Sequence, residues 1–226
     1  MDTDIFRGWV LTILGGLHYG YHIAVVAAAA PGISEALGED LWALELSAAL
    51  SLGGAIFGSP LSGCVCECFG RRAGTIAGES IGLLGALCCA CAQNYHAIWA
   101  GRLLVGLGIG FCTLAKPLYI KETVVGPISR PILAAFAPAI AAGVLLSKAC
   151  AVVALPWRSQ FALGALPAIS LLSVAAFWMP ESPAWLRARR GAGATAKVGD
   201  SGPPHAPAAA LPREGAAVLP PPRDPT

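Results

Sequence analysis

The chain has 226 residues, of which 56% are hydrophobic and only 12% are charged, and its formal net charge is +2. A soluble protein is disfavoured, because apolar runs on this scale leave too little polar surface to cover a folded chain. The small net charge gives no indication of a nucleic-acid partner.

Six apolar stretches are long enough to cross a bilayer as helices, which takes about 20 residues each. In chain order the predicted segments are Trp9–Ala30, Leu44–Gly63, Ala73–Ala92, Ile98–Tyr119, Ile132–Leu155 and Ser159–Met179. The first is too long for the apolar part of a cleavable signal peptide, and acidic as well as basic residues flank it. We therefore predict an all-α membrane protein, with a bundle of six transmembrane helices in residues 1–190.

Basic residues concentrate in alternate connections between the segments. The connections on the N-terminal side of the membrane, together with the tail, hold Arg7, Arg71, Arg72, Lys121, Arg130, Arg187, Arg189, Arg190, Lys197, Arg213 and Arg223. The connections on the other side hold Arg158 and the acidic residues Glu35, Glu39, Asp40 and Glu45. The positive-inside rule then predicts that both termini are cytoplasmic.

Residues 191–226 differ in composition from the rest, being mostly Ala, Gly, Pro and Arg with no apolar period. Such a segment buries too little surface to offset the entropy of ordering it. We predict a disordered cytoplasmic tail that forms a unit separate from the bundle.

Eight cysteines are present, and we interpret them chiefly as small packing residues. Cys64, Cys66 and Cys68 lie at the inner end of the second segment, where the cytosol keeps thiols reduced, and no fourth ligand at a matching spacing indicates a metal site. A disulfide among the outer group at 88–91 stays open. The sequence contains no recognisable nucleophile–base pair or phosphate loop, so we predict neither an enzyme nor a cofactor or metal.

The fourth segment carries an arginine, Arg102, among apolar residues. Inserting such a charge costs roughly 3 kcal/mol, so it normally faces a partner or a water-filled cavity. Three glycines follow at 106, 108 and 110, and small residues of this kind let neighbouring helices approach closely. This pattern is typical of a helix along a solute pathway.

Three further charges fall inside apolar segments: Glu79, Lys116 and Lys148. The lysines either line a solute path or extend towards helix ends. Glu79 lies deeper in its segment and needs a partner or a proton.

Four short motifs occur at segment ends. They are Gly-Cys-Val-Cys-Glu-Cys-Phe-Gly-Arg-Arg at 63–72, Gly101-Arg102 with Pro-Leu-Tyr-Ile-Lys-Glu at 117–122, Arg130, and Pro-Glu-Ser-Pro-Ala-Trp-Leu at 180–186. In this order and spacing the chain resembles the sugar-porter family of the major facilitator superfamily, over about residues 8–187. The resemblance covers the N-terminal six-helix half of a fold that has twelve helices.

The matches and the departures are specific. Residues 63–72 are similar to the signature G-x-x-x-D-x-x-G-R-R with Glu67 in place of the aspartate, and residues 180–186 to P-E-S-P-R-W-L with Ala184 in place of the arginine. Residues 15–22 are similar to the first-helix motif G-G-x-x-F-G-Y-D, but end in His22. The glutamine that contacts sugar hydroxyls in the family has no counterpart in Phe136-Ala137-Pro138-Ala139-Ile140.

The resemblance implies transport of a hexose or a related sugar or polyol by alternating access, facilitated or proton-coupled. It assigns a substrate or coupling role to His22 and Arg102, and a histidine at this position can take up a proton at acidic pH. The alternative is that His22 is a structural residue, hydrogen-bonded within the bundle. The charges implied as cytoplasmic gating residues are Glu67, Arg71, Arg72, Glu122, Arg130 and Glu181.

The family pattern does not continue after Leu186, so we expect a truncated or partial carrier. The implied partners are a small-molecule solute, the lipid bilayer, and a second six-helix half or a homo-oligomer, and the family default is the plasma membrane. Two alternatives remain open. One is a non-transporting half-carrier that associates with a full-length porter, and the other is a carrier of another solute such as an organic ion.

Overall fold

The computed structural model describes residues 3–38 and 40–190, and the predicted tail at 191–226 lies outside this part of the chain. The α-helices here are α1 (Thr3–Leu37), α2 (Leu41–Phe69), α3 (Arg71–Ala90), α4 (Tyr95–Thr123), α5 (Ser129–Ala134), α6 (Phe136–Val152) and α7 (Trp157–Ser173). A π-helical turn, Val174–Trp178, continues α7, and residues 183–190 form a short final helix.

The described residues contain six helical spans long and apolar enough to cross a membrane: Thr3–Leu37, Leu41–Phe69, Arg71–Ala90, Tyr95–Thr123, Ser129–Val152 and Trp157–Trp178. The prediction of an all-α protein with six transmembrane helices is confirmed. The first, second and fourth spans are longer than their predicted segments, and the second and fourth begin at capping residues that lie outside the apolar runs. Asp40 and Asn94 are such caps, and each side chain accepts a hydrogen bond from the amide three residues later.

Two prolines explain where the fifth and sixth spans depart from one continuous α-helix. Pro138 has no N–H to donate to the carbonyl of Ala134, and the fifth span breaks at Ala135 into α5 and α6. Pro180 likewise leaves the carbonyl of Ala176 without its usual donor, and the preceding turn widens into the π form.

Helix packing is closest around α4, which lies against both α2 and α3, while α1 packs against α6 and α7. A Cβ added at Gly108 would lie 2.6 Å from the main-chain oxygen of Gly78 in α3. One added at Gly110 would lie 2.5 Å from the main-chain oxygen of Ala55 in α2. These glycines thus let the backbones of α2 and α3 approach α4 closely, in the stretch of α4 that follows Arg102.

Candidate transport site and loop-end charge cluster

Arg102 is buried in the middle of the bundle, with 1% of its surface exposed. Its Nη2 donates to the main-chain oxygen of His22 at 2.8 Å and to the hydroxyl of Ser51 at 2.9 Å. Its Nε donates to the main-chain oxygen of Ser47 at 3.4 Å. One guanidinium therefore ties α4 to α1 and α2, because its fork of donors reaches acceptors on both helices.

His22 lies next to Arg102, but the two side chains do not bond each other. The imidazole Nε2 of His22 lies 3.1 Å from the main-chain oxygen of Gly164 on α7. The side chain of His22 is fully buried. His22 thus contacts two neighbouring helices, α4 through its main-chain oxygen and α7 through its imidazole ring.

A second buried group of ionisable residues surrounds Glu79, and we call His18, Glu79, Cys112 and Lys116 the Glu79 cluster. Lys116 Nζ lies 2.5 Å from Oε1 of Glu79, and Nδ1 of His18 lies 3.2 Å from Oε2. The thiol of Cys112 donates to Oε1 at 3.1 Å. Glu79 is completely buried, and Lys116 and Cys112 offset part of the hydration that its carboxylate loses at Oε1, whereas Oε2 has no hydrogen-bond partner among the described residues.

Lys116 therefore does not extend to a helix end, since its ammonium pairs with Glu79 inside the bundle, whereas Lys148 is exposed on α6. The sequence singled out Glu79 and Lys116 separately as intramembrane charges. It did not indicate that they pair, because they are on different helices. Their opposite signs within two apolar segments were the available signal.

Cavities open beside both buried groups. One of about 250 Å³ is lined by Tyr19, Ile23, Ala48, Ser51, Leu52, Ala55 and Ile109, so it reaches the serine that Arg102 holds. Another of about 210 Å³ includes Lys116 and Phe136 in its lining. Side chains of α1, α2 and α4 line the first cavity, and side chains of α1 and α4, with Leu133 and Phe136, line the second.

At the end of the bundle where α2 meets α3, a second constellation joins α3, α4 and the segment after α7. We call Arg71, Arg72, Glu122, Glu181 and Ser182 the Arg71 cluster. Arg71 makes a two-pronged pair with Glu122, with Nη2 to Oε1 at 2.8 Å and Nε to Oε2 at 3.0 Å. The hydroxyl of Ser182 also donates to Oε2 of Glu122.

Glu181 binds main-chain amides instead of a guanidinium. Its Oε1 accepts from the amide of Arg71 at 2.8 Å and from that of Arg72 at 3.3 Å. These amides are at the N-terminus of α3, where the helix dipole favours a carboxylate. Gly70, with φ of 102°, makes the turn before them, and a Cβ there would meet the Glu181 carboxylate.

Arg72 bonds the π-helical turn that follows α7. Its Nε donates to the main-chain oxygen of Ala175 at 3.0 Å and its Nη2 to that of Ala176. Ala176 is the residue whose carbonyl Pro180 leaves free, so the proline and the arginine act on the same acceptor.

The structure does not bring all six predicted gating charges together. Glu67 is exposed, and its main-chain oxygen, not its carboxylate, accepts from the indole of Trp185 at 2.9 Å. Arg130 is exposed as well. Within residues 3–38 and 40–190, neither side chain joins the ion pair of Arg71 with Glu122. Ser182, which the sequence did not single out, takes part in the cluster.

All eight cysteines lie in the described residues, and all are free thiols. The outer-end group of Cys88, Cys89 and Cys91, for which a disulfide was left open, contains no disulfide. The thiols of Cys88 and Cys89 donate to the main-chain oxygens of Ala97 and Ile98 on α4. They pack α3 against α4, in the role predicted for most of the cysteines.

A six-helix membrane bundle with a buried arginine on its fourth span and a charge cluster between its second and third spans defines one half of a major facilitator transporter. The family described as "Sugar (and other) transporter" matches residues 9–206. The chain belongs to this sugar transporter family, and the resemblance found in the motifs is confirmed. It is a family of transporters and not of enzymes.

Among similar proteins is the probable inositol transporter 3 of Arabidopsis thaliana, 35% identical over 180 residues, which make up 76% of this chain and 31% of that relative. The probable metabolite transport protein CsbC of Bacillus subtilis is 35% identical over 188 residues, covering 82% of this chain and 41% of that protein. The chain thus spans well under half the length of these two relatives.

The fold is also similar to that of a solved transporter. The proton:xylose symporter XylE, bound to 6-bromo-6-deoxy-D-glucose, aligns with a TM-score of 0.74 and 24% identity. The alignment covers 82% of this chain and 46% of that one. At this identity the likeness establishes the major facilitator fold, of which this chain forms the N-terminal half.

Proposed function

We propose that this chain forms half of a carrier for a hexose or a related sugar or polyol, working by alternating access. The observation that carries the proposal is the Arg102–Ser51 contact at the wall of the 250 Å³ cavity, in a chain of the sugar transporter family. A hydroxyl and a guanidinium beside an apolar cavity suit a polar, uncharged solute. Two similar proteins, one named as an inositol transporter and one as a xylose symporter, favour the same class of solute.

In this proposal the Arg71 cluster is the cytoplasmic gate. Arg71, Arg72, Glu122 and Glu181 hold α3, α4 and the segment after α7 in one arrangement through bonds that can break and reform. Rocking of two six-helix halves about a central site would change the distances within such a cluster. Glu67 and Arg130, whose side chains are exposed, are free to contact the second half.

Transport is tested by expressing the 226-residue chain alone and together with the C-terminal half of the Bacillus subtilis relative, in cells that lack sugar uptake. We expect uptake of labelled inositol, xylose or glucose only with the two halves together, with the relative's half alone as the control. Uptake by the chain alone would instead support a homo-oligomer. Inhibition by organic cations but not by sugars would overturn the sugar proposal.

The alternative of a non-transporting half-carrier predicts a different result. The chain would then co-purify with a full-length porter and change its amount at the membrane, without adding uptake in either arrangement. Uptake by the paired halves separates the two, because only the carrier proposal predicts it.

We further propose a multi-pass protein of the plasma membrane with both termini cytoplasmic. Exposed cysteines at the two ends of the bundle make this testable: Cys64 and Cys68 end α2, and Cys91 follows α3. In single-cysteine variants, a membrane-impermeant maleimide should label Cys91 in intact cells and Cys64 only after permeabilisation. Cys66, which is buried, is the control that stays unlabelled. Labelling of Cys64 from outside would reverse the orientation.

A further inference from the structure

Two exposed thiols lie on one face of α2, at the end of the helix that meets α3. Cys64 and Cys68 are exposed and free, whereas Cys66 between them is buried. A spacing of four residues places two side chains on the same face of a helix, one turn apart. Neither the two cavities described above nor the Arg71 cluster includes these thiols, so the proposed transport function leaves them without a role.

The same face of α2 is apolar and exposed for two further turns towards the middle of the helix. Phe57 and Leu61 precede the thiols, with exposed fractions of 70% and 51%. With 3.6 residues per turn, positions 57, 61, 64 and 68 lie within an arc of about 60°. We call Phe57, Leu61, Cys64 and Cys68 the thiol strip, because this apolar surface ends in two thiols.

Aromatic and basic residues beside this end of α2 place the thiols at the boundary between membrane and water. The indole of Trp185 donates to the main-chain oxygen of Glu67 at 2.9 Å, and Nη1 of Arg189 donates to that of Cys68 at 2.6 Å. Arg189 also lies over the ring of Trp185, 5.0 Å from its centroid. Tryptophan and arginine are enriched at the cytoplasmic surface of membrane proteins. The thiol strip therefore starts near the lipid headgroups and extends about 16 Å into the hydrocarbon.

A long-chain acyl group fits this strip. A chain attached to Cys64 passes Leu61 and reaches Phe57 after about 10 Å along the helix axis. That distance is within half of the hydrocarbon core, which is about 15 Å. Cysteines next to a membrane span are typical acceptors of such chains. The exposed Arg187 and Arg189 of the final helix also favour the approach of an anionic acyl donor.

We propose that Cys64 and Cys68 are S-acylation sites that receive long-chain acyl groups from acyl-CoA, with catalysis by a membrane acyltransferase of the cell. In each transfer the cysteine sulfur bonds the acyl carbonyl carbon, and the bond from that carbon to the sulfur of CoA breaks. The hydrogen of the cysteine thiol ends on the released CoA thiol. One thioester replaces another, so the step needs neither an oxidant nor a reductant. The proposal takes from the proposed function only the cytoplasmic position of this end, where acyl-CoA is supplied.

Cys91 provides a comparison within the same chain, at the opposite end of the bundle. It is exposed and follows α3. Leu84 and Leu87, with exposed fractions of 62% and 45%, precede it at helical spacing. The local pattern is thus similar to the thiol strip, but in the proposed orientation this end faces away from the cytosol and its acyl-CoA. We therefore expect no acyl group at Cys91.

Counting thioesters on the full chain, expressed in eukaryotic cells, tests the proposal. Free thiols are blocked, thioesters are cleaved with hydroxylamine, and each thiol released is tagged with a maleimide polymer that adds a resolvable mass. We expect two hydroxylamine-dependent mass steps. Cys64→Ser and Cys68→Ser should each lose one step, and the double variant should lose both. Cys66→Ser and Cys91→Ser are the matched controls and should keep both.

Direct incorporation identifies the group that is attached. A palmitate analogue with a terminal alkyne, fed to the cells, should label the unmodified chain and not the variant with both Cys64→Ser and Cys68→Ser. Three results would overturn the proposal: no hydroxylamine-dependent step, steps that persist in the double variant, or a step that Cys91→Ser removes. The first of these, with both thiols reactive to maleimide, would leave the strip available to a protein partner instead.

The orientation experiment separates failure of this proposal from failure of the proposed function. Acylation predicts that maleimide labelling of Cys64 in permeabilised cells rises after hydroxylamine. Cytoplasmic labelling of Cys64 without that rise would refute acylation and leave the orientation standing. Absence of uptake by the paired halves, together with two acyl groups on the chain, would refute transport and leave the acylation sites standing.

Discussion

Arg102 donates its hydrogen bond to the main-chain oxygen of His22, at 2.8 Å, while the imidazole of His22 bonds the main-chain oxygen of Gly164. The contact between these two positions is thus made through the backbone. Its geometry does not depend on which side chain occupies position 22. Arg102 consequently acts first as a tie between helices.

Replacing Arg102 with Ala should lower the free energy of unfolding by about 3 kcal/mol, since hydrogen bonds from a charged donor and buried packing are lost together. Arg102→Lys should have an intermediate effect, because a single ammonium does not reach acceptors on both α1 and α2. Unfolding in mixed micelles, followed by tryptophan fluorescence, measures both. Arg130→Ala, at an exposed arginine, is the control and should stay within about 0.5 kcal/mol. Equal effects of the two alanine variants would contradict the prediction.

Gly106→Ala should destabilise the bundle by about 1–3 kcal/mol, because a Cβ there would meet the main-chain oxygen of Ser51 on the facing helix. Gly53→Ala, in the facing helix α2, is the matched control, since a Cβ there meets no atom of the described residues within 4 Å. It should instead stabilise the protein by about 0.5–1 kcal/mol through helix propensity. The same unfolding measurement tests the pair, and an equal loss of stability in both variants would show that the close approach of Gly106 to Ser51 is not the cause.

The ion pair of Arg71 with Glu122 should show a coupling free energy of about 1–2 kcal/mol in a double-mutant cycle with alanine. Both side chains are mostly buried, with exposed fractions of 13% and 16%. The pair of Arg7 with Asp4 is the control, because Asp4 is 46% exposed and the two are three residues apart on one helix. Its coupling should be below about 0.5 kcal/mol. Equal couplings for the two pairs would refute the prediction.

In the paired halves, replacing Arg71 and Arg72 together with Ala should shift the carrier towards its inward-facing state. The change removes the two-pronged contact with Glu122 and the bonds to the π-helical turn. We expect cysteine probes placed along the 210 Å³ cavity to react faster from the cytoplasmic side. Unchanged reactivity on both sides would argue against a gating role for the Arg71 cluster.

Lys116→Met should cost about 3 kcal/mol or more, because it leaves the carboxylate of Glu79 buried without its cation. The double variant of Glu79→Gln with Lys116→Met should cost less than Lys116→Met alone, since no unpaired charge remains. Lys148→Met, at an exposed lysine on α6, is the control and should be near neutral. A double variant less stable than either single variant would show that Glu79 and Lys116 act independently.

Sequence patterns were sufficient for the number and nature of the membrane spans, since length and apolarity alone decide whether a helix crosses a bilayer. They were less informative about where helices end, because caps such as Asp40 and Asn94 lie outside the apolar runs. The four motifs, in their order and spacing, were sufficient for the family. The break at Ala135 and the π turn were missed, although Pro138 and Pro180 were visible, since a proline shows that a carbonyl loses its donor but not how the backbone responds.

The partners of the buried charges were beyond the reach of sequence patterns. Glu79 and Lys116 were both recognisable as intramembrane charges, yet they lie 37 positions apart in the sequence and pair only because α3 packs on α4. Likewise the sequence places His18 four residues before His22, but the contact of His18 with Glu79 depends on the approach of α1 to α3. The sequence by itself therefore determined which segments lie in the membrane, the family, and the free-energy cost of burying each charge, because these depend on local composition and short motifs. Only the tertiary structure decided which buried groups pair with one another and so offset that cost. Ion pairs and hydrogen bonds act over about 3 Å, and they therefore depend on how the helices pack.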